Sequence, residues 1–334
     1  MPNSISKAIR IVAFGELLWD MLPTGKKLGG APVNFLYHAQ TLGALTQPLT
    51  CVGNDSLGAE IVQSLRKLGV ATDFIQISPT RPTGTVKVSL DEKGIPSYEI
   101  VENVAWDSIQ VDDQVIDNVV SFLSSGDKKA FYFGSLALRG QENREALRKL
   151  LEALPSSVLR ICDLNLRPPF TSFDILESIL KETDLFKLND GEAIQLDRLF
   201  AKDGEPSLAP LADAEGGLGK AIDQKKSQTD QIVHRWAEDW SRRFGLRSVI
   251  LTCGAHGAYL YQDGRLDYAP SVPVEVKDSV GAGDSFAAVC VCGLLNSIPG
   301  DIILEQASKR AAFVCAQEGA TPAIPPQYSH PFDN

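Results

Sequence analysis

Apolar runs of strand length alternate with segments of helical period along most of this chain. Ile9 to Phe14 is a β-rich run that stops at Gly15. Ala59 to Leu68 sets Ile61, Val62, Leu65 and Leu68 on one helical stripe, which Gly69 ends. The same alternation predicts a strand over 130–133, a helix over 143–154, a strand over 158–164, a helix over 173–180 and a strand over 184–188. A helix over 232–244, strands over 248–252 and 258–261, and helices over 282–295 and 301–317 complete the series. Repeated β-α-β units cover both faces of a mostly parallel central sheet with helices. The expectation is a three-layer α/β fold, in a single domain over 1–334.

Two regions break that rhythm. Residues 81–101 alternate apolar and polar about a turn at Asp91-Glu92-Lys93-Gly94, the pattern of a hairpin with one wet face. They predict a small antiparallel sheet projecting from the main one. Residues 201–230, rich in Ala, Gly, Lys, Asp and Gln, lack a convincing period and read as a surface insertion. Trimming such a segment should cost little stability, because loop closure entropy grows slowly with length. The Pro-rich tail after Gly319 reads as packed coil.

Composition narrows the function classes. Hydrophobic residues are 44% and charged residues 22%, which excludes disordered, collagen-like and coiled-coil classes for the body of the chain. Lys plus Arg is 32 against 42 for Asp plus Glu, and a net charge of −10 repels phosphate backbones, so no nucleic-acid partner is expected. No apolar run reaches membrane-span length, and Gly15-Glu16 interrupts the first apolar run, so neither a membrane nor a secretory signal is expected. The six cysteines form no Cys-x-x-Cys pair and the four histidines have no ligand spacing. Buried free thiols in a reducing cytoplasm are the expectation.

Two glycine-rich turns carry the candidate chemistry. Asp278-Ser279-Val280-Gly281-Ala282-Gly283-Asp284-Ser285-Phe286 feeds directly into an apolar helix, and unobstructed N–H groups at a helix start favour an anion. Asp284 has two readings there: a cap for the helix, or a base that removes a proton from a nucleophile beside a developing negative charge. The segment is neither a Walker loop nor a dinucleotide fingerprint, since Phe286 stands where a third glycine is needed. Gly29-Gly30-Ala31-Pro32-Val33-Asn34 also precedes a helix. Asn34, one turn in, can offer donor and acceptor to a hydroxyl, or can serve as a local cap.

These two segments resemble the paired signatures of the ribokinase-like (PfkB-type) carbohydrate kinases. Further motifs fall in the expected order between them: Gly15-Glu16-Leu17-Leu18-Trp19-Asp20, Gly53-Asn54-Asp55-Ser56-Leu57-Gly58 and Pro82-Thr83-Gly84-Thr85. Asp163-Leu164-Asn165-Leu166-Arg167-Pro168, Leu188-Asn189-Asp190-Gly191-Glu192 and Thr252-Cys253-Gly254-Ala255-His256-Gly257 follow. The resemblance covers about residues 9–326. It implies a ribokinase-like three-layer fold whose small β lid comes from about 15–34 and 81–105. It also implies transfer of the γ-phosphoryl of ATP to a sugar hydroxyl in the cytoplasm.

In that resemblance Asp284 is the base, held ionised near neutral pH, and Gly281, Ala282 and Gly283 form the anion hole. Asn189 and Glu192 are similar to a pair that positions phosphate and water-bound Mg²⁺. Thr252, Gly254 and Gly257 resemble the nucleotide-binding turn. Asp278 and the carbonyl of Gly319 would meet a monovalent cation such as K⁺, although Val280 and Ala323 stand where many members have hydroxyl residues. Asp20, Gly30 and Asn34 resemble sugar contacts, and Arg167 serves either a ligand oxygen or its own loop. The first two motifs are closest to the fructokinase branch, which makes D-fructose the expected substrate. A 2-keto-3-deoxy sugar acid or ribose is the alternative, followed by a protein that only binds a sugar or nucleoside. Two copies pairing through an apolar lid face would give a homodimer.

Overall fold

The computed structural model describes residues 8–90, 96–170, 172–201, 206–212 and 217–332. The expected turn at Asp91-Glu92-Lys93-Gly94 lies outside the described residues. Strand β1 (Ile9–Phe14) leads into β2 (Leu18–Leu22), β3 (Gly25–Gly29) and helix α1 (Ala31–Gln40). Next come β4 (Leu45–Gly53), α2 (Ser56–Lys67), β5 (Ile75–Ser78), β6 (Gly84–Leu90), β7 (Pro96–Ile100) and α3 (Asp113–Ser124). The middle holds β8 (Lys128–Gly134), α4 (Gln141–Ala153), β9 (Leu159–Asp163), α5 (Phe173–Leu180), β10 (Leu185–Asn189) and α6 (Asp190–Phe200). Helices α7 (Ala209–Ala212) and α8 (Gly217–Phe244) precede β11 (Ser248–Thr252), β12 (Ala258–Gln262) and β13 (Arg265–Ala269). Helices α9 (Ala282–Leu295) and α10 (Gly300–Cys315) follow.

Among the described residues one nine-stranded sheet has the order β13-β12-β11-β10-β9-β8-β1-β4-β5. It is parallel from β11 across to β5, and antiparallel only at the β11, β12, β13 edge. Alternation along β1 divides the core. Ile11 and Ala13 face α1, α9 and α10, while Val12 and Phe14 join the apolar cluster of α3, α4, α5, α6 and α8. Helix α9 is apolar all round and buried from Asp284 to Gly293, as a helix at the centre of a layer must be. A second, four-stranded sheet of order β3-β2-β6-β7 is built from the two segments that interrupt the helical rhythm. Its β2–β3 and β6–β7 pairs are antiparallel, and a parallel β2–β6 pair joins them.

Sequence order reverses about β1, which has β8 on one side and β4 on the other. In such sheets the crevice at the carboxyl ends of the strands collects the ligand-facing residues. Gly15, Asp163, Asn189 and Thr252 all stand at or just beyond those ends. No helix among the described residues is long and apolar enough to cross a membrane. All six cysteines are free and all but Cys315 are buried.

The expectation for 201–230 needs correcting. Its described part contains α7 and the first part of α8, whose two helical stretches meet at a non-helical kink at Lys225 before the second runs on to Phe244. Leu208, Leu211, Leu218 and Ile222 are buried in the main core cluster. Five apolar residues, with Ala221 the fifth, thinly spaced among polar ones sufficed to fix the segment, too few to register as a stripe in the sequence. Leu218→Ala should therefore lower the unfolding free energy by about 2–5 kcal/mol in urea denaturation. A loss below about 1 kcal/mol would return the segment to the surface.

Candidate active site

The turn after β1 sets one wall. Glu16 folds inward, 5% exposed, and its Oε1 accepts the Ala31 N–H at 3.2 Å. Gly30 caps α1 at φ +123°, and a Cβ there would stand 2.5 Å from the Glu16 carbonyl oxygen. Only glycine lets α1 start this close to the turn. Asn34 then lies one turn into α1, buried, and its Nδ2 donates to Asp284 Oδ2 at 2.9 Å. Two atoms beside this contact, Glu16 Oε2 and Asn34 Oδ1, are buried without a hydrogen-bond partner among the described residues.

Asp284 comes from the opposite wall, in the first turn of α9. The helix begins on Gly281 in the left-handed region (φ +80°), where a Cβ would meet Ala320 at 2.6 Å. No side chain caps it, and the Asp284 carboxylate takes its hydrogen bond from Asn34 instead. Of the three turn residues expected as an anion hole, Ala282 differs: its N–H already donates to the Ser279 carbonyl at 3.3 Å.

Burial dominates the electrostatics. It pushes the Asp284 carboxyl up to about 7, helped by Asp163 and opposed by Lys187, the Asn34 hydrogen bond and Arg167. Burial likewise pushes Glu16 up to about 7, against its backbone hydrogen bonds and Arg167, while Asp284 adds to the rise. Asp284 is thus poised to exchange a proton at neutral pH, rather than held ionised as the sequence suggested.

Beneath them lies a buried ion pair absent from the sequence-derived site. Lys187 Nζ donates to both Asp163 oxygens at 2.8 Å, and the Tyr132 hydroxyl donates to Asp163 Oδ2 at 3.1 Å. A Cβ on Gly283 would come within 3.5 Å of Lys187 Nζ, so the ammonium underlies the glycine turn. The available signal was a lone lysine inside the apolar run Leu185-Phe186-Lys187-Leu188.

The other expected residues spread along the crevice. Arg167 is exposed and bonds its neighbour's carbonyl (Nη1 to Leu166 O, 2.9 Å), yet its charge acts on both Glu16 and Asp284. Asn189 and Glu192 form a capping box on α6, with the two reciprocal bonds both at 2.9 Å. Glu192 Oε1 also accepts the Leu166 N–H at 2.8 Å, tying α6 to the Arg167 loop. Thr252, Gly254 and Gly257 share the turn after β11, held by Cys253 N–H to Gly257 O at 2.8 Å. Asp20 stands on β2 opposite Lys27 of β3. Asp278 accepts N–H groups from Val280 and Gly319, both at 3.0 Å, so Gly319 turns its N–H rather than its carbonyl toward that carboxylate. No group of three or more His, Cys, Asp or Glu among the described residues could hold a metal by itself. A divalent ion here would need a ligand's own oxygens, as Mg²⁺ commonly does with phosphates.

A proton acceptor poised near neutrality, beside a glycine turn at a helix start that the small sheet contacts through Lys27 and Asp278, is equipped to transfer a group to a hydroxyl. The profile described as pfkB family carbohydrate kinase matches residues 15–327. The chain belongs to that family and is a sugar kinase. An Arabidopsis thaliana relative named "Probable fructokinase-5" is 26% identical over 342 residues, covering 94% of each chain. The structure of a fructokinase with bound ATP from Xylella fastidiosa aligns at a TM-score of 0.72 and 21% identity, over 93% of this chain and 94% of that one. The 2-dehydro-3-deoxygluconokinase of Thermotoga maritima aligns at 0.74 and 18% identity, over 95% of this chain and 96% of that one.

A stability test follows from the raised Asp284. Its carboxyl ionises near 4 when unfolded and near 7 when folded. Between those values the folded state keeps a proton that the unfolded state has lost, so stability falls as pH rises and stays lost above about 7. Asp284→Asn removes the buried charge and keeps an acceptor for Asn34. The variant should melt about 2 °C or more above wild type at pH 8, with the gap closing toward pH 4. A Tm at pH 8 equal to or below wild type would mean that the carboxylate is not strained by burial.

Proposed function

We propose that this sugar kinase transfers the γ-phosphoryl group of ATP to a hydroxyl of D-fructose. The observation that carries the substrate choice is the surplus of acceptors beside Asp284. Glu16 Oε2 and Asn34 Oδ1 are buried and unpartnered, and Asp20 adds a further carboxylate from the lid strand. Hydroxyl donors satisfy such atoms; a second carboxylate would add acceptors where donors are missing. Arg167, the cation that a sugar acid would need, is already opposed by Glu16 and Asp284. A neutral polyol therefore fits better than a 2-keto-3-deoxy sugar acid. The fructokinase among the relatives supports the same choice.

In this reading the sugar hydroxyl approaches Asp284, which takes its proton as the oxygen attacks the γ-phosphorus, the bond from that phosphorus to the β,γ-bridging oxygen breaks, and ADP leaves with the bridging oxygen. The Gly281 and Gly283 N–H groups, the α9 N-terminus and Lys187 beneath oppose the negative charge growing on the phosphoryl oxygens. Asn34 fixes the base through its Nδ2. Thr252, Gly254 and Gly257 hold the nucleotide. Asn189 and Glu192 would meet water on Mg²⁺, using the oxygen lone pairs that their capping box leaves free. When bound, Mg²⁺ neutralises charge on the β- and γ-phosphates.

Two measurements test the proposal. In an ADP-release assay over a sugar panel, kcat/KM should be highest for D-fructose. A preference of more than about tenfold for ribose or 2-keto-3-deoxygluconate, roughly 1.4 kcal/mol in transition-state binding, would overturn the choice of sugar. Asp284→Asn should lower kcat by about 10² to 10⁴ while leaving sugar affinity nearly unchanged. For the wild type, kcat/KM should fall as pH drops below about 7, because the protonated carboxyl cannot accept the hydroxyl proton. A profile flat down to pH 5 would remove Asp284 from the role of base.

A further inference from the structure

Lys27, on β3 of the lid sheet, reaches across the crevice mouth to Asp278. Its Nζ donates to Asp278 Oδ2 at 3.2 Å. Asp278 opens the turn that ends in Gly281-Ala282-Gly283-Asp284, and its remaining hydrogen bonds hold that turn in place. Oδ1 accepts the Val280 N–H, and Oδ2 accepts the Gly319 N–H as well as the lysine. The carboxylate thus has three donors, one of them a full positive charge. Partial burial raises its proton affinity, but these hydrogen bonds and the lysine hold it below the usual carboxylate range.

The place that the family resemblance assigns to a monovalent cation is already taken here. Val280 brings no side-chain oxygen, the Gly319 N–H donates to the Asp278 carboxylate, and Lys27 Nζ donates to the same oxygen, so an ion can meet that carboxylate only when the ammonium is removed. The positive charge is already present on Lys27.

We infer that Lys27 brings to Asp278, from the lid, the charge that a diffusible monovalent cation would supply, making it a positioning residue for the turn from 278 to 284. This rests on reading that turn as the holder of base and anion hole. The lid strand is well placed for the task. Neighbouring Lys26 pairs with Glu60 on α2, and the Trp19 indole of β2 donates to the Leu57 carbonyl at 3.1 Å. Between them these contacts anchor the hairpin that presents Lys27, so the ammonium arrives without the loss of freedom that a free ion suffers on binding.

The same lysine faces Asp20 across the β2–β3 ladder, and its charge lowers the proton affinity that burial gives that carboxyl. One ammonium therefore stands between a lid carboxylate proposed to hold the sugar and the carboxylate that braces the catalytic turn. Sugar binding at Asp20 and the set of the turn are linked through it. Since Lys27 is 43% exposed, the ion pair itself adds little stability. Its effect belongs in turnover.

The test compares the wild type with Lys27→Met, which keeps the stem and drops the charge. Both are assayed in about 0.1 M KCl and in tetramethylammonium chloride at equal ionic strength, so that general screening is held fixed. Wild-type kcat should agree within about twofold between the salts. In tetramethylammonium the variant should lose about tenfold or more, and K⁺ or NH₄⁺ should restore most of that loss. Thermal unfolding supplies a readout free of turnover: K⁺ should raise the Tm of Lys27→Met over tetramethylammonium and leave the wild type unmoved. Wild-type activation by K⁺ above about tenfold would overturn the inference, as would a variant that is fully active without K⁺ or inactive in every salt. Failure of the wild type to phosphorylate any sugar would instead sink the reading of the site, while the Tm comparison would still decide the role of Lys27.

Discussion

An ionised carboxylate shut away from water is unstable unless nearby positive charge or hydrogen bonds replace its hydration. The Asp284 environment is organised around that constraint. The α9 N-terminus, the Asn34 amide, Lys187 and Arg167 all favour the charged form, yet burial and Asp163 still leave the group balanced near neutrality. Each contribution needs its own element to be where it is. Asn34 depends on α1 starting hard against the β1 turn, which Gly30 permits, and the helix start depends on Gly281 lying against Ala320. Lys187 stays charged in the core because Asp163 accepts both of its hydrogen bonds and is itself held by Tyr132. Removing a single partner from that set would strand a buried charge.

The small sheet and this site share one stretch of chain. Strands β2 and β3 run straight into α1, so Asp20, Lys27 and Asn34 lie on a single short segment. Motion of the hairpin about the Gly29-Gly30 junction must change what reaches Asp278 and can disturb the helix that orients Asp284. The small sheet and the Asp284 environment are therefore joined by covalent connectivity as well as by contact.

Contiguous features of the site were legible in the sequence. Asp284, the glycine turn before it and Asn34 each sit in a short motif whose residue types carry meaning, whereas the Asn189–Glu192 pair came only through the family resemblance. Features assembled from distant residues were not. Glu16 lay in a quoted motif, but its burial and vacant oxygen follow from how α1 packs against the turn. Lys187 is a charge in an apolar strand whose partner is supplied by the neighbouring strand β9. The Lys27–Asp278 contact joins residues that nothing local relates. Among the elements not predicted, β4 carries Gln47 and Pro48 in its first half, which count against a central strand. The 201–230 segment was misread because five scattered apolar residues hold it to the core.

The buried thiols carry one more consequence. Cys290 and Cys292 lie on α9, the helix that begins with the Asp284 turn, and burial pushes both thiols well above their ordinary range, Cys292 to about 12. A thiol that is neither ionised nor reachable does not react with alkylating reagents. These two cysteines can be labelled only in molecules whose α9 has come away from the sheet. Their labelling rate is a built-in clock for the opening of the catalytic layer, separate from any movement of the lid, and it can be read without introducing a probe.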